Sequence, residues 1–256
     1  IPALGAIDLQ GTIPLDLSQP FNLRTEWESA PLNQMTVSLH DWISLPVTPE
    51  GTLALILDTT GTLSPELAFN LRADWKDFQL TGNQGAILPV IPSIQVTGRG
   101  RILTEALTLE LPQLEIASEN LFSASANVIV VSATEGIRVN GCGSAFIPDL
   151  SRALYLSERY LPPHLIESAS GQIRLETPFQ LSGPAFSATP SLWLHLIDAR
   201  SAWGSLRGLN LSVRGTLQNR DLLTGRIEAE LDAITSNSTD PYRMERLIFE
   251  QTIQNQ

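Results

Sequence analysis

The feature that most limits how this chain can fold is an apolar residue at every second position over long stretches of sequence. Successive side chains of a β-strand point to opposite faces of the sheet, so a period of two produces one apolar and one polar face. A helix with the same sequence would place polar side chains in its buried stripe. The pattern therefore predicts a mainly β protein. It recurs in residues 7–17, 53–57, 67–75, 107–111, 122–130, 173–181, 209–217 and 227–233.

Several of these segments are longer than an ordinary strand, which has about five or six residues. Glycine recurs two positions before an aliphatic residue, as in Gly51-Thr-Leu53 and Gly171-Gln-Ile173, and this predicts bends, bulges or tight turns. Long strands must hide their apolar face, either in a closed two-sheet sandwich or in one sheet that curls on itself. We expect the second: a long curled antiparallel sheet that forms an elongated hydrophobic groove.

One segment departs from the period of two. Asp149 is placed to cap a short α-helix near 149–161, and Pro162-Pro163 ends this helix. The helix either covers an open end or edge of the sheet or closes an apolar interior like a plug, and the sequence allows both. We expect the β-rich groove to continue across it. The predicted organisation is a β-rich segment 1–146, a helical insertion 147–166 and a second β-rich segment 167–256.

The composition excludes several functional classes. The 256 residues include 27 acidic and 16 basic side chains, giving a net charge of −11, whereas binding to nucleic acid requires clustered cations. The apolar content of 43% is too high for a disordered chain. The single cysteine, Cys142, can form neither an internal disulfide nor a four-cysteine metal site. We therefore expect a folded protein with no nucleic-acid partner.

The sequence contains no convincing catalytic or metal-binding motif. His40, His164 and His195 lie far apart, without metal-ligand spacing to a carboxylate or to another histidine. The stretch Leu55-Ile-Leu-Asp-Thr-Thr-Gly61 is similar to the aspartic-protease loop, but an extra threonine separates its aspartate from its glycine and no second copy follows. We predict that the protein is not an enzyme, and that it has no catalytic residues, no metal and no cofactor.

No stretch of the sequence has the length and apolar content of a transmembrane helix. The uncharged stretch of residues 81–98 is interrupted by three glycines and two prolines. No signal peptide is visible. Because the chain begins without methionine and ends in the middle of an alternating pattern, we expect it to be an excerpt of a longer protein, with any anchor outside it.

Three stretches of the sequence resemble a known family. They are Val139-Asn-Gly-Cys-Gly-Ser-Ala145, Ala169-Ser-Gly-Gln-Ile-Arg-Leu175 and Leu206-Arg-Gly-Leu-Asn-Leu-Ser-Val-Arg-Gly-Thr-Leu217. Together with residues 160–163, 179–183 and 194–204, and over roughly residues 139–233 in all, they are similar to AsmA-like and TamB-like proteins of Gram-negative bacteria, closest to the YdbH branch.

This resemblance implies a place in the cell and a cargo. It implies a periplasmic protein, tethered to the inner membrane by an N-terminal helix that is not present here. Its curled sheet would carry phospholipids towards the outer membrane in a hydrophobic groove. Contacts with the inner and outer membranes would be made through regions outside this excerpt, and the family has no catalytic residues.

The leading hypothesis is a non-enzymatic phospholipid conduit between the inner and outer membranes, with the acyl chains shielded in the apolar β-groove. Each methylene that leaves water for an apolar lining gains about 0.8 kcal/mol. The alternative is a structural or adhesive β-sheet module with a self-packed core and no lipid. In the conduit, phospholipid is the partner, and the predicted lipid-binding residues are Ile7, Leu9, Ile13, Leu15, Leu67, Phe69, Leu71, Ile173, Leu175, Leu209, Leu211, Val213, Ile227 and Leu231.

Overall fold

The computed structural model describes residues 6–14, 16, 19–31, 48–62, 64–82, 85–86, 90–119, 121–133, 136–157, 166–182, 185–218, 221–236 and 243–254. Within these residues the chain forms fifteen strands and one α-helix. The elements are β1 (Ile7–Thr12), β2 (Phe21–Pro31), β3 (Thr48–Gly61), β4 (Glu66–Gly82), β5 (Gly85–Ala86), β6 (Ile91–Leu103), β7 (Thr108–Ser118), β8 (Phe122–Ala133), β9 (Gly136–Ile147), α1 (Leu150–Ser157), β10 (Ser168–Ser182), β11 (Ala185–Ala188), β12 (Ser191–Ser201), β13 (Gly204–Gln218), β14 (Asp221–Ser236) and β15 (Arg243–Gln254).

The strands belong to one large antiparallel sheet, which confirms the predicted mainly β fold. Strand order follows chain order, as β1-β2-β3-β4-β6-β7 in the first half and as β9-β10-β12-β13-β14-β15 in the second. Antiparallel neighbours need only a tight connection, and β12 and β13 are indeed joined through only two residues, 202 and 203. The groove that we expect this sheet to form stays a prediction.

The chain divides into two compact units. Unit 1 comprises Ile1–Glu119 and Ser125–Thr134, and unit 2 comprises Asn120–Ala124 and Glu135–Gln256. Strands β1 to β7 therefore belong to unit 1, whereas β9 to β15 and α1 belong to unit 2. The predicted segments were divided at the helix, but the helix lies inside unit 2.

Two of the recurrent glycines interrupt the regular pairing of the strands. At Gly171 the register between β10 and β12 shifts, the backbone has a φ of +146°, and a Cβ atom would collide with the carbonyl oxygen of His195. At Gly51 the register between β3 and β4 shifts, φ is +111°, and a Cβ atom would lie 2.5 Å from the carbonyl oxygen of Lys76. Because other residues rarely adopt such φ values, glycine is required at both bulges.

Burial is shallow in both units. No large side chain in the described part of the chain is more than 98% buried. The interior of a sandwich is close-packed and removes its large side chains from water, so this shallow burial is typical of a single layer of sheet. The least exposed apolar residues are Leu53, Ala73, Ile91, Ile94 and Val96 in unit 1, and Leu150, Ala169, Ala188, Leu196 and Leu231 in unit 2.

The predicted helix is present, and its first turn has the predicted cap. The backbone N–H of Ser151 donates to Asp149 Oδ1 at 2.9 Å, and the Ser151 hydroxyl donates to the same oxygen at 2.6 Å. These bonds lower the pKa of Asp149 below its ordinary value, because they favour the charged carboxylate. The helix runs from Leu150 to Ser157, and its predicted end near 161 and Pro162-Pro163 lie outside the described residues.

Candidate functional site

The apolar face of unit 1 runs from strand to strand. Residues directly opposite each other in an antiparallel pair point to the same side of the sheet. One such row crosses β1, β2, β3, β4 and β6 through Leu9, Thr25, Leu57, Leu71 and Gly98. It contains no charged side chain. By the same registers, the predicted lipid-binding residues on this face are Ile7, Leu9, Leu67, Phe69 and Leu71.

Exposure along this face is highest at its first strand. Ile7 and Leu9 of β1 are 55% and 62% exposed, and Ile13, just after the strand, is 65% exposed. Leu67, Phe69 and Leu71 on β4 are half-buried. Leu15, the remaining predicted residue of this part, lies outside the described residues.

Two glycines on the same face were not among the predicted site residues. Gly98 lies opposite Leu71, and Gly100 lies opposite Phe69. The ring of Phe69 and the side chain of Leu111 fill the space beside Gly100, where a Cβ atom would be 2.5 Å from Phe69 Cζ and 2.9 Å from Leu111 Cδ2. At Gly98 a Cβ atom would have an easier contact, 3.4 Å from Leu114 Cδ1. The sequence signal for these glycines was their spacing, because Val96, Gly98, Gly100 and Ile102 occupy every second position of β6 and so share one face.

Unit 2 carries a second apolar face of the same kind. One row crosses β9, β10, β12, β13 and β14 through Ala145, Leu175, Leu192, Val213 and Ile227. The neighbouring row passes through Ile147, Ile173, Leu194, Leu211 and Ala229. The structure thus brings together the predicted residues of unit 2, which are Ile173, Leu175, Leu209, Leu211, Val213, Ile227 and Leu231.

These residues differ in how much of their surface remains open. Leu231 is only 8% exposed, whereas Ile173, Leu175, Leu211, Val213 and Ile227 are half-buried. Leu192, Leu194 and Leu196 lie on the same face as the predicted residues, and they were missed because Trp193 and His195 interrupt their strand with large side chains. The apolar face of unit 2 is therefore wider than the sequence-based set.

Helix α1 packs on one part of this apolar face. Leu150 forms a buried cluster with Ala169 of β10 and Leu196 of β12. Leu154 and the predicted residues Ile173 and Leu209 pack against that cluster. A helix of eight residues is unstable in water on its own. Burial of a leucine side chain contributes about 1.5–3 kcal/mol, so the two leucines and the Asp149 cap hold the helix in place.

The opposite face of the sheet is polar and carries ion pairs. Arg174 Nη2 lies 2.5 Å from Glu176 Oε1, and Arg226 Nη2 lies 2.6 Å from Glu228 Oε1. On unit 1, Arg101 Nε lies 2.6 Å from Glu110 Oε2, and this hydrogen bond raises the pKa of Arg101. Exposed pairs of this kind add little stability, but they keep this face in contact with water.

A hollow of about 570 Å³ lies on the polar face of unit 2. Trp193 and His195 border it on β12, and Glu228 and Glu230 border it on β14, with the backbone of Leu211 below. His195 Nδ1 is 2.6 Å from Asn210 Oδ1, and the Arg214 guanidinium lies 5.9 Å from the centre of the Trp193 ring. These contacts join neighbouring side chains of the sheet surface.

Asp58 and Cys142, which the sequence analysis considered for catalysis or metal binding, each contact a neighbouring group of the sheet. Asp58 lies 3.5 Å from Arg24 in an exposed ion pair. The Cys142 thiol lies 3.9 Å from the carbonyl oxygen of Gly143. Among the described residues, no group of three or more histidine, cysteine, aspartate or glutamate side chains could hold a metal ion. His40 and His164 lie outside the described residues.

No helix in the described ranges combines the length and the apolar character needed to cross a membrane. Comparison of the chain with protein-family models, with curated proteins and with solved structures finds no match.

Proposed function

We propose that this chain is a non-enzymatic phospholipid conduit, in which the apolar faces of the two units shield acyl chains from water. One observation carries this proposal. Within the described residues, aliphatic rows cross strand after strand, their side chains remain partly exposed, and Ile7 and Leu9 at the first strand are more than half exposed. An exposed apolar face of this extent is the feature of a binding surface rather than of a finished core.

The chemistry of the rows suits an acyl chain that must move. Each methylene buried against an apolar lining contributes about 0.8 kcal/mol, so a long chain is held by many equal contacts. The rows through Leu57 and Leu71 and through Leu175 and Val213 contain no charged side chain. A chain sliding from one row to the next therefore meets no strong polar site at which it would stop.

The resemblance to AsmA-like and TamB-like proteins supports the same function and adds a location. In this proposal the chain is periplasmic, belongs to a longer protein tethered to the inner membrane, and works towards the outer membrane. Phospholipid is its partner, and the two membranes are reached through regions outside this sequence.

A structural or adhesive module without lipid is the second candidate, and packing within unit 1 favours it. Leu53, Ala73, Ile94 and Val96 are buried, and the rings of Trp75 and Phe78 stack with their centroids 5.3 Å apart. Phe69 and Leu111 fill the space beside Gly100. If the whole apolar face of a unit were packed as closely as it is around these residues, acyl chains could not bind to that face.

Lipid extraction separates the two candidates. The purified chain is extracted with organic solvent, and the extract is quantified by mass spectrometry against protein concentration. The conduit predicts phospholipid in stoichiometric amounts, retained through size-exclusion chromatography. A stable, folded chain that carries no lipid, and takes up none from phospholipid vesicles, would support the module instead.

A further inference from the structure

We propose that α1 is a movable stop on the apolar face of unit 2. The helix occupies the end of the lipid path, and it must lift for an acyl chain to pass. This inference rests on the proposed lipid function and adds a regulatory element to the same surface. In its seated position the helix takes a place on the sheet that an acyl chain would otherwise fill.

Helix α1 packs on the sheet through apolar side chains. Leu150 is as buried as the strand residue Leu196 beside it, at 8% exposure each. Leu154 packs against the same cluster, and β10 is the strand in extensive contact with the helix. Ser151 and Arg152, on the other side of the helix, are exposed. An amphipathic segment laid on an apolar surface competes directly with any other apolar group that binds there.

The polar contacts of the helix cap do not tie the helix to the sheet. The carboxylate of Asp149 accepts hydrogen bonds from Ser151, and Asp149 Oδ2 lies 3.7 Å from Arg152 Nε. These contacts lie within the first turn and travel with the helix. Leu150 and Leu154 pack the helix against the sheet, and an entering acyl chain can replace these contacts with contacts of the same apolar chemistry.

The seated helix divides the face into a covered part and an open part. Ile173 packs in the cluster around Leu150, whereas Leu175, two residues further along the same face of β10, is not part of that cluster. Lipid bound to the unmodified chain should therefore contact Leu175 and stop short of Ile173. Loosening the helix should extend the lipid contact to Ile173.

Site-specific crosslinking to lipid tests the stop. A small aliphatic diazirine amino acid is incorporated at position 173 or at position 175 of the full chain, in the native background and with Leu150→Ser plus Leu154→Ser. The proteins are incubated with vesicles of phosphatidylethanolamine and phosphatidylglycerol and irradiated, and crosslinked phospholipid is measured by mass spectrometry. We expect crosslinks at 175 in both backgrounds, and a several-fold rise at 173 when the two leucines are replaced.

Matched variants control for general disruption. Arg152→Lys changes an exposed side chain of the same helix but keeps its positive charge near Asp149, and it should leave the crosslink at 173 at its native level. If the double leucine variant does not fold, as judged by circular dichroism, Asp149→Ala weakens the start of the helix while keeping both leucines, and it should raise the crosslink at 173 by a smaller factor.

The outcomes separate the stop from the conduit. Equal crosslinking at 173 and 175 in the native chain, unchanged by Leu150→Ser and Leu154→Ser or by Asp149→Ala, would overturn the stop and leave the conduit standing. An absence of phospholipid crosslinks at both positions in every background would overturn the conduit itself, and the stop with it.

Discussion

Leu211 of β13 lies directly opposite Leu194 of β12, in the row of apolar side chains that crosses unit 2. The next residue, Ser212, points to the other side of the sheet and lies opposite Trp193. Leu211 therefore lies on the apolar surface of the sheet and Ser212 on its polar surface. An aspartate substituted at each position compares the two surfaces.

Leu211→Asp should remove bound phospholipid while the chain stays folded, because a charge in a half-open apolar row repels acyl chains but can still be hydrated. The expected loss in the free energy of unfolding is about 1 kcal/mol. Ser212→Asp is the matched control and should leave lipid content unchanged, with a loss of stability below about 1 kcal/mol because its carboxylate would lie opposite Glu228 on β14. Loss of folding in Leu211→Asp would argue that the apolar face is closed, and equal loss of lipid in both variants would argue that the lipid does not bind to that face. Lipid extraction and thermal melting give both readouts.

The exposure of residues on the apolar faces predicts a graded response to charge. Leu9 is 62% exposed, whereas Leu231 is 8% exposed. Leu231→Asp should lower the free energy of unfolding by about 3 kcal/mol or more, because it buries an unpaired charge. Leu9→Asp should lower it by about 0.5 kcal/mol or less. Urea unfolding followed by fluorescence measures both, and similar losses for the two variants would contradict the burial seen here.

Gly100 and Gly98 provide a test of packing on the apolar face of unit 1. A Cβ atom at Gly100 would lie 2.5 Å from Phe69 Cζ and 2.7 Å from the carbonyl oxygen of Glu110, so Gly100→Ala forces the backbone to move. The expected cost is about 1–3 kcal/mol. At Gly98 the nearest atom would be the flexible Leu114 Cδ1 at 3.4 Å, and Gly98→Ala should be tolerated. Chemical denaturation of the two variants should give clearly different midpoints.

The cap of α1 should make the stability of the helix depend on pH in the acid range. The pKa of Asp149 is lowered in the folded chain by its bonds to Ser151, so the cap contributes fully above the unfolded pKa of about 3.9. This contribution is lost as the pH falls through the lower folded pKa. The difference in melting temperature between the native chain and Asp149→Ala should therefore be present at pH 7 and disappear in strong acid. A difference that is independent of pH would show that the carboxylate charge is not involved.

Much of the fold follows from the sequence, because the alternation of side chains determines which residues share a face. The alternation from Leu67 to Leu71 and from Leu209 to Val213 placed each set on one side of the sheet, and the observed registers agree. Asp149 also identified the start of the helix, because a capping carboxylate acts within a single turn. These features depend on near neighbours in the chain.

Other features depend on contacts that the alternation does not encode. The position of α1 on the apolar face follows from the fit of Leu150 between Ala169 and Leu196, which are distant in sequence. The division into two units and the burial of Leu231 depend in the same way on long-range packing. Alternation tells which side of a strand is apolar, but the depth of burial is determined by what lies above it.

Three ion pairs of the polar face, Arg24–Glu26, Arg174–Glu176 and Arg226–Glu228, close between residues two apart on the same strand. Arg24 also lies 3.5 Å from Asp58 on the neighbouring strand β3, and Arg101 of β6 pairs with Glu110 of β7. The charges of this face are therefore balanced partly within single strands and partly between neighbours, so a change of one acidic or basic residue affects the adjoining strand only where the pair crosses between strands.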